Sequence, residues 1–261
     1  MLELARYGAR KRVRGALALS VGLSAFSVLY AAFYPSIATG FDVAEYVDAL
    51  PPVFVEAFGL RAFGTIEGFL ATELYHFAWI ILLGVYLAYS AAGLVAGDVE
   101  SERMDILLAL PVSRGRVVTE KYLAVVPEIL LVNAVVAAVT WLATHAIGYP
   151  VAATDLIAVH LLSIPYLLTC AAIGLAFSVA ASRASVAQRG AMATVFGLFL
   201  FETVVSATDY AWLGAVAPMR YFDPTAILTE NTYDFLAAAI LLAATVVLVA
   251  ASAQYFRRRD V

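Results

Sequence analysis

"LYHFAWIILLGVYLAYSAAGLVAG", Leu74 to Gly97, carries no charged side chain, and "DVESERMDILLALPVSRGRVVTEK", Asp98 to Lys121, follows it with one of the densest runs of charge in the chain. The first stretch exceeds the roughly 20 apolar residues that cross a ~30 Å hydrocarbon core at ~1.5 Å rise per residue. The second cannot lie in that core. Together they read as a membrane span followed by a solvent-facing connector.

Composition extends this reading to the whole chain. Of 261 residues, 63% are hydrophobic and 14% are charged, which separates the chain from ordinary soluble domains. Further runs with few or no charges lie at Gly15–Phe41, Ile129–Thr154, Leu156–Ser182, Gly190–Pro218 and Phe235–Phe256. They predict six spans, at about 15–37, 74–96, 123–147, 156–180, 190–213 and 235–256, in a single membrane domain covering 1–261. These runs are long and apolar on every side, whereas a barrel would show about ten-residue alternating segments. The expected fold class is all-α, a polytopic membrane protein.

Orientation follows from the basic residues. Arg6, Arg10, Lys11, Arg12 and Arg14 precede the first span, and Arg103, Arg114, Arg116 and Lys121 follow the second. Arg183 and Arg189 separate the fourth and fifth spans, and Arg257, Arg258 and Arg259 close the chain, leaving Arg61 and Arg220 on the opposite face. Positive charge favours the cytoplasmic side, so both termini are expected there, in a plasma-membrane protein. The first apolar run is too long for the h-region of about 7–15 residues of a secretory signal, so it is read as a retained span. Ahead of it, "LELARYGARKRVRG" mixes leucines, tyrosine and arginines as an interfacial helix does. The opposite face carries an acidic segment at 40–73 whose apolar residues Val53, Val55, Phe58, Leu60, Phe63 and Ile66 suit it to lie on the bilayer or cap the bundle.

Chemistry inside the membrane is sparse. Glu202 falls about twelve residues into the fifth span, near mid-depth by the ~1.5 Å rise, and is the candidate for lining a translocation path. Glu128 and Asp209 lie near span ends, where water or snorkelling can satisfy them. His76, His145 and His160 all fall toward the acidic face but share no close-spacing motif, so no metal site is expected from them. The single cysteine, Cys170, excludes internal disulfides and reads as a small buried apolar residue. No Gly-x-Ser-x-Gly, His-Glu-x-x-His or Gly-x-x-x-x-Gly-Lys-Ser/Thr motif occurs. The chain is therefore expected to bind no cofactor and to perform no catalysis of its own.

The connector itself has helical order. Met104, Leu107, Leu108 and Pro111 recur on one side, and Asp98, Glu102 and Asp105 on another. Pro111 is placed to end that helix and Ser113 to cap the next. A leucine pair on an acidic helix suits docking to a protein better than lying on lipid, where basic residues dominate.

"AGDVESERMDILLALPVSRGRVVTEKYLA", Ala96 to Ala124, resembles the segment after the second span of ABC-2 type permeases, the membrane subunits of ATP-binding cassette transporters. The basic N-terminal helix, a first span ending near Tyr34-Pro35, the acidic external segment and the basic tail are similar too. The family pattern has Glu-x-Gly-(Thr/Ser) before the leucine run; here Glu102 and Arg103 stand in place of the Gly-(Thr/Ser) pair. The resemblance implies that residues 97–122 form a cytoplasmic coupling loop. Glu100, Glu102, Asp105, Leu107, Leu108, Pro111, Val112, Ser113 and Arg114 would then fit a cleft on a separate ABC ATPase subunit. It further implies a homodimer or a heterodimer with a similar permease, with ATP and Mg held by the partner ATPase, the bilayer as surroundings and no nucleic acid. The alternatives are a non-transporting docking or assembly protein and an ATP-independent secondary transporter.

Overall fold

The computed structural model describes residues 2–40, 43–51, 55, 60–109 and 111–259. Asp42, Glu56, Val53 and Phe58 of the acidic segment lie outside the described residues, as does Leu110. Helices make up most of the described chain, and no strand occurs among the described residues. In order they are α1 (Glu3–Gly40), α2 (Val43–Asp48), α3 (Ile66–Glu100), α4 (Arg103–Leu108), α5 (Arg114–Leu123), α6 (Val126–Ala146), α7 (Ala153–Ala180), α8 (Ala184–Val205), α9 (Pro224–Glu230) and α10 (Phe235–Arg258).

Six segments are long and apolar enough to cross a membrane: α1, α3, α5 with α6, α7, α8 and α10. The expected interfacial helix and first span are one continuous rod of 38 residues, which Pro35 does not end. Nothing in its basic first half breaks helical winding strongly enough to separate the two. The third crossing is broken instead. Pro127 has no N–H and its ring crowds the carbonyl four residues earlier, so α5 closes at Leu123 and α6 begins at Val126.

α3 and α7 form the centre. In their most apolar windows 61% of α7 and 50% of α3 are buried, against 28% of α1 and α10 and 22% of α8, which lie at the periphery of the bundle. Small side chains permit the close packing: Ala88, Ala91, Ala92 and Ala96 of α3 meet Ala171, Ala172, Gly174 and Ser178 of α7, all buried. At Gly174 the helices come so near that any Cβ would collide with the Ala88 carbonyl. Cys170 is buried in this region.

Residues Ala71–Leu83 of α3 are wound as a π-helix, which widens the turn and shifts carbonyls out of the usual ladder. The Ile80 carbonyl accepts from the Tyr166 hydroxyl at 2.8 Å, across the Gly84 position that opens the following α-helical part. Around this centre α1 packs on α6. Ala16, Ser20, Leu23, Ser27 and Ala31 face Val132, Val136 and Thr140, with Ser27 and Thr140 hydroxyls 2.7 Å apart. α8 lies along α3 through Ala187, Ala191, Val195 and Phe199, and α10 lies along α7 with Thr169 and Thr245 hydroxyls 3.0 Å apart.

Candidate functional site

The loop between α3 and α5 lies where the chain's basic segments gather. α3 ends at Glu100, and Glu102 then takes a left-handed conformation, φ 57°, that turns the chain into the short helix α4. Within α4 Met104 is fully buried and Leu107 and Leu108 are half-buried against the core, so this apolar side anchors the helix to the bundle. The outward side carries Glu102, Arg103, Asp105 and Ile106, and Ile106 is 70% exposed. Pro111 and Ser113 are exposed and Val112 is half-buried. Ser113 caps α5 by accepting from the Arg116 N–H at 3.4 Å.

Polar side chains bind this loop to nearly every neighbouring helix end. Lys121 of α5 pairs with Asp98 at the end of α3, and Arg103 lies 3.4 Å from the same carboxylate. Glu100 Oε2 accepts from the Ala184 N–H at 2.9 Å and so caps the start of α8. Arg114 donates to the Arg259 carbonyl, and Arg259 in turn donates to the carbonyls of Val179 (2.6 Å) and Ala181 (3.0 Å) and to the Ser182 hydroxyl (2.6 Å). Buried Glu120 accepts from the N–H groups of Leu4 and Ala5 and from Arg116. Displacing the loop therefore strains bonds to α1, α7, α8 and the C-terminal tail at once. Of the residues expected to meet a partner, Glu100 and Arg114 are engaged internally, while Glu102, Asp105, Pro111 and Ser113 remain outward.

Glu128 departs further from expectation. It is 3% exposed, its Oε2 lies 2.6 Å from Arg12 Nη1, and the Tyr86 hydroxyl donates to its Oε1 at 3.1 Å. Arg12 also donates to the Ser90 hydroxyl at 2.9 Å. One ion pair thus joins α1, α3 and α6. An acidic residue two places into a span following a basic preceding helix was the available signal in the sequence.

Glu202 is not at mid-depth. α8 closes at Val205, so Glu202 occupies its last turn, and the chain folds back through two 3₁₀ segments, Ala211–Val216 and Pro218–Tyr221. The apolar run had continued to Pro218, but Thr208 caps the helix end through the Val205 carbonyl and the chain turns there. Glu202 is 6% exposed, with Arg220 Nη1 3.4 Å from its Oε1, and its Oε2 has no hydrogen-bond partner among the described residues. Gly214 lies against that carboxylate, with no room for a Cβ.

The three histidines occupy separate environments. His145 is exposed beside Trp141, and His76 bonds the Ala71 carbonyl at 3.0 Å. His160 is buried between Asn133 and Tyr75, at 3.0 Å from each. Asn133 Nδ2 donates to the Ile129 carbonyl, which leaves its Oδ1 to accept from His160 Nδ1. Nε2 of His160 then accepts from the Tyr75 hydroxyl, a closed network of the kind that fastens helices inside a bilayer.

A family model described as ABC-2 family transporter protein matches residues 10–261. The chain belongs to the ABC-2 transporter family. Comparison with curated proteins gave no match. As an ABC-2 transporter protein it is a multi-pass membrane component with a permease role, and the six crossings agree with that assignment.

Proposed function

We propose that this ABC-2 permease forms the translocation path as a dimer and is driven by separate ABC ATPase subunits docked on the 97–122 loop. ATP and Mg belong to those subunits. Both termini and the loop are cytoplasmic, in the plasma membrane, because fourteen of the sixteen basic residues flank the spans on that side.

The observation that carries the reading is the build of the loop. α4 exposes Ile106 among charged neighbours on one side and buries Met104 on the other, while Asp98, Glu100 and Glu120 on either side of it bond the surrounding helix ends. An exposed apolar residue in a charged rim is the pattern of a small docking surface, with charge setting partner and register. Movement imposed there reaches α1 through Glu120 and α8 through Glu100, which suits rigid-body transmission.

The test is co-purification of the full chain with a phosphate-loop ATPase, followed by ATP-dependent transport in vesicles. Ile106→Asp is expected to lose the ATPase while the permease keeps its elution profile. Stoichiometric recovery of the ATPase with that variant, or transport without any nucleotide, would sink the reading. Ile106 is the better probe than Leu107 or Leu108, whose half-buried positions make their replacement a folding perturbation as well.

A further inference from the structure

A cavity of about 680 Å³ opens between the first four turns of α1, the end of α3, α4 and the α5–α6 corner. Six charged side chains line it: Lys11, Arg12, Arg103 and Lys121 against Asp98 and Glu128. Glu128 is taken by Arg12, and Asp98 is shared by Lys121 and Arg103, so the wall carries two positive charges in excess. Lys11 has no carboxylate partner among the described residues, and the Arg103 side chain is 58% exposed. The rest of the wall is largely apolar, including Leu4, Leu94, Ile106 and the outward-facing Tyr7.

We propose that this cavity binds the phosphate-bearing headgroup of an anionic glycerophospholipid from the leaflet at the basic end of the bundle. The surplus charge calls for an anion, and a guanidinium with an ammonium on facing walls suits a phosphodiester. Basic pockets between helix ends at the membrane surface are a recurrent setting for such headgroups.

The surroundings favour a lipid over a free anion. α1 runs without a break from the cavity into its apolar, largely exposed membrane-crossing part. Gly15 lines the cavity and Gly22 lies two turns further along the same side, and at both the space a side chain would fill is empty. No side chain of α1 at these two positions obstructs an acyl chain that runs along the helix from the charged end. A soluble phosphate would gain nothing from that path or the apolar wall. The bound headgroup would tie Lys11 of α1 to Arg103 of the loop, adding a lipid-dependent link beside the Glu120 contact.

The full chain is reconstituted in phosphatidylcholine nanodiscs containing a minor fraction of phosphatidylglycerol, extracted, and its retained lipid counted by native mass spectrometry. The wild type is expected to retain phosphatidylglycerol over phosphatidylcholine. Lys11→Ala with Arg103→Ala should lower that retention by about thirtyfold, since each basic group in contact with the headgroup contributes about 1 kcal/mol and two are removed. Arg6→Ala with Arg10→Ala removes the same charge from α1 outside the cavity and should leave retention unchanged. Equal retention in the Lys11/Arg103 variant, or an equal loss in the Arg6/Arg10 variant, overturns the site. Displacement of the lipid by inorganic phosphate at matching concentration overturns the lipid assignment. All four residues are exposed or at a cavity wall, and an unchanged elution profile shows that the variants fold.

Discussion

Glu120 caps a helix whose second residue lies 116 residues before it: its Oε2 accepts from the Leu4 N–H at 3.0 Å. The same oxygen lies 3.3 Å from the Ala5 N, and its Oε1 lies 2.6 Å from Arg116 Nε. The first N–H groups of a helix have no partner within it, and a carboxylate there also meets the positive end of the helix dipole. α5 supplies that acceptor from across the fold.

Glu120→Ala should therefore loosen the first turn of α1 while leaving the spans intact. A lost cap costs about 1 kcal/mol, and amide exchange at residues 4–8 is expected to rise accordingly by roughly fivefold. Glu120→Gln keeps an acceptor and should show a smaller rise. Hydrogen exchange by mass spectrometry on the reconstituted protein reads both. Unchanged protection in the alanine variant would mean that the α1 terminus is held by its packing alone.

Arg12 and Glu128 make a different demand. Their side chains are 18% and 2% exposed, so removing one leaves the other's charge buried. Breaking such a pair costs about 3–5 kcal/mol, whereas replacing both partners by apolar groups is often neutral. Glu128→Leu and Arg12→Met are each expected to lower the thermal midpoint in detergent sharply, and the double variant to recover most of the loss. Additive losses in the double variant would show that the two residues stabilise the bundle independently.

Glu102 sits at φ 57°, where the family pattern places glycine before the leucine run. A side chain in that region costs about 1–2 kcal/mol, which glycine avoids, and glycine gives back about 0.4–1 kcal/mol through the freer unfolded chain. Glu102→Gly should stabilise the loop by about 0.5–1 kcal/mol. Glu102→Val, β-branched at the same angle, should destabilise it. Because Glu102 makes no side-chain cap bond to α4, no hydrogen bond is sacrificed in either variant. Denaturant titration of the two variants gives the sign, and a glycine variant no more stable than the valine one refutes the strain.

These cases show where the sequence is readable. The crossings follow from charge-free runs, and Ser113 capping α5 follows from local chemistry, because both are properties of neighbouring residues. Arg12–Glu128 and Glu120–Leu4 join residues 116 apart, and no local pattern specifies such pairing. α4 lay between the two kinds. Its helical spacing separated an apolar from an acidic side, but only its packing showed that Met104 faces inward and that Ile106, counted on neither side, carries the exposed surface. The depth of Glu202 was not legible because an apolar run does not reveal that nearly half of it, after Val205, folds back on itself.

That folded-back segment gives the last prediction. Arg220 reaches Glu202 and also donates to the Ala211 carbonyl, so one guanidinium holds the end of α8 to both arms of the 206–222 turn. Gly214 is the point of closest approach, since any side chain there would strike the Glu202 carboxylate. Gly214→Ala must push Glu202 away from Arg220 or unfold the turn, and either leaves a poorly exposed carboxylate without its cation. Gly214→Ala with Glu202→Ala removes the obstacle and the stranded charge together. Limited proteolysis of the turn is expected to be fast in Gly214→Ala, and slower again in the double variant. If Gly214→Ala digests like the wild type, the approach of Gly214 to Glu202 is not what holds the turn in place.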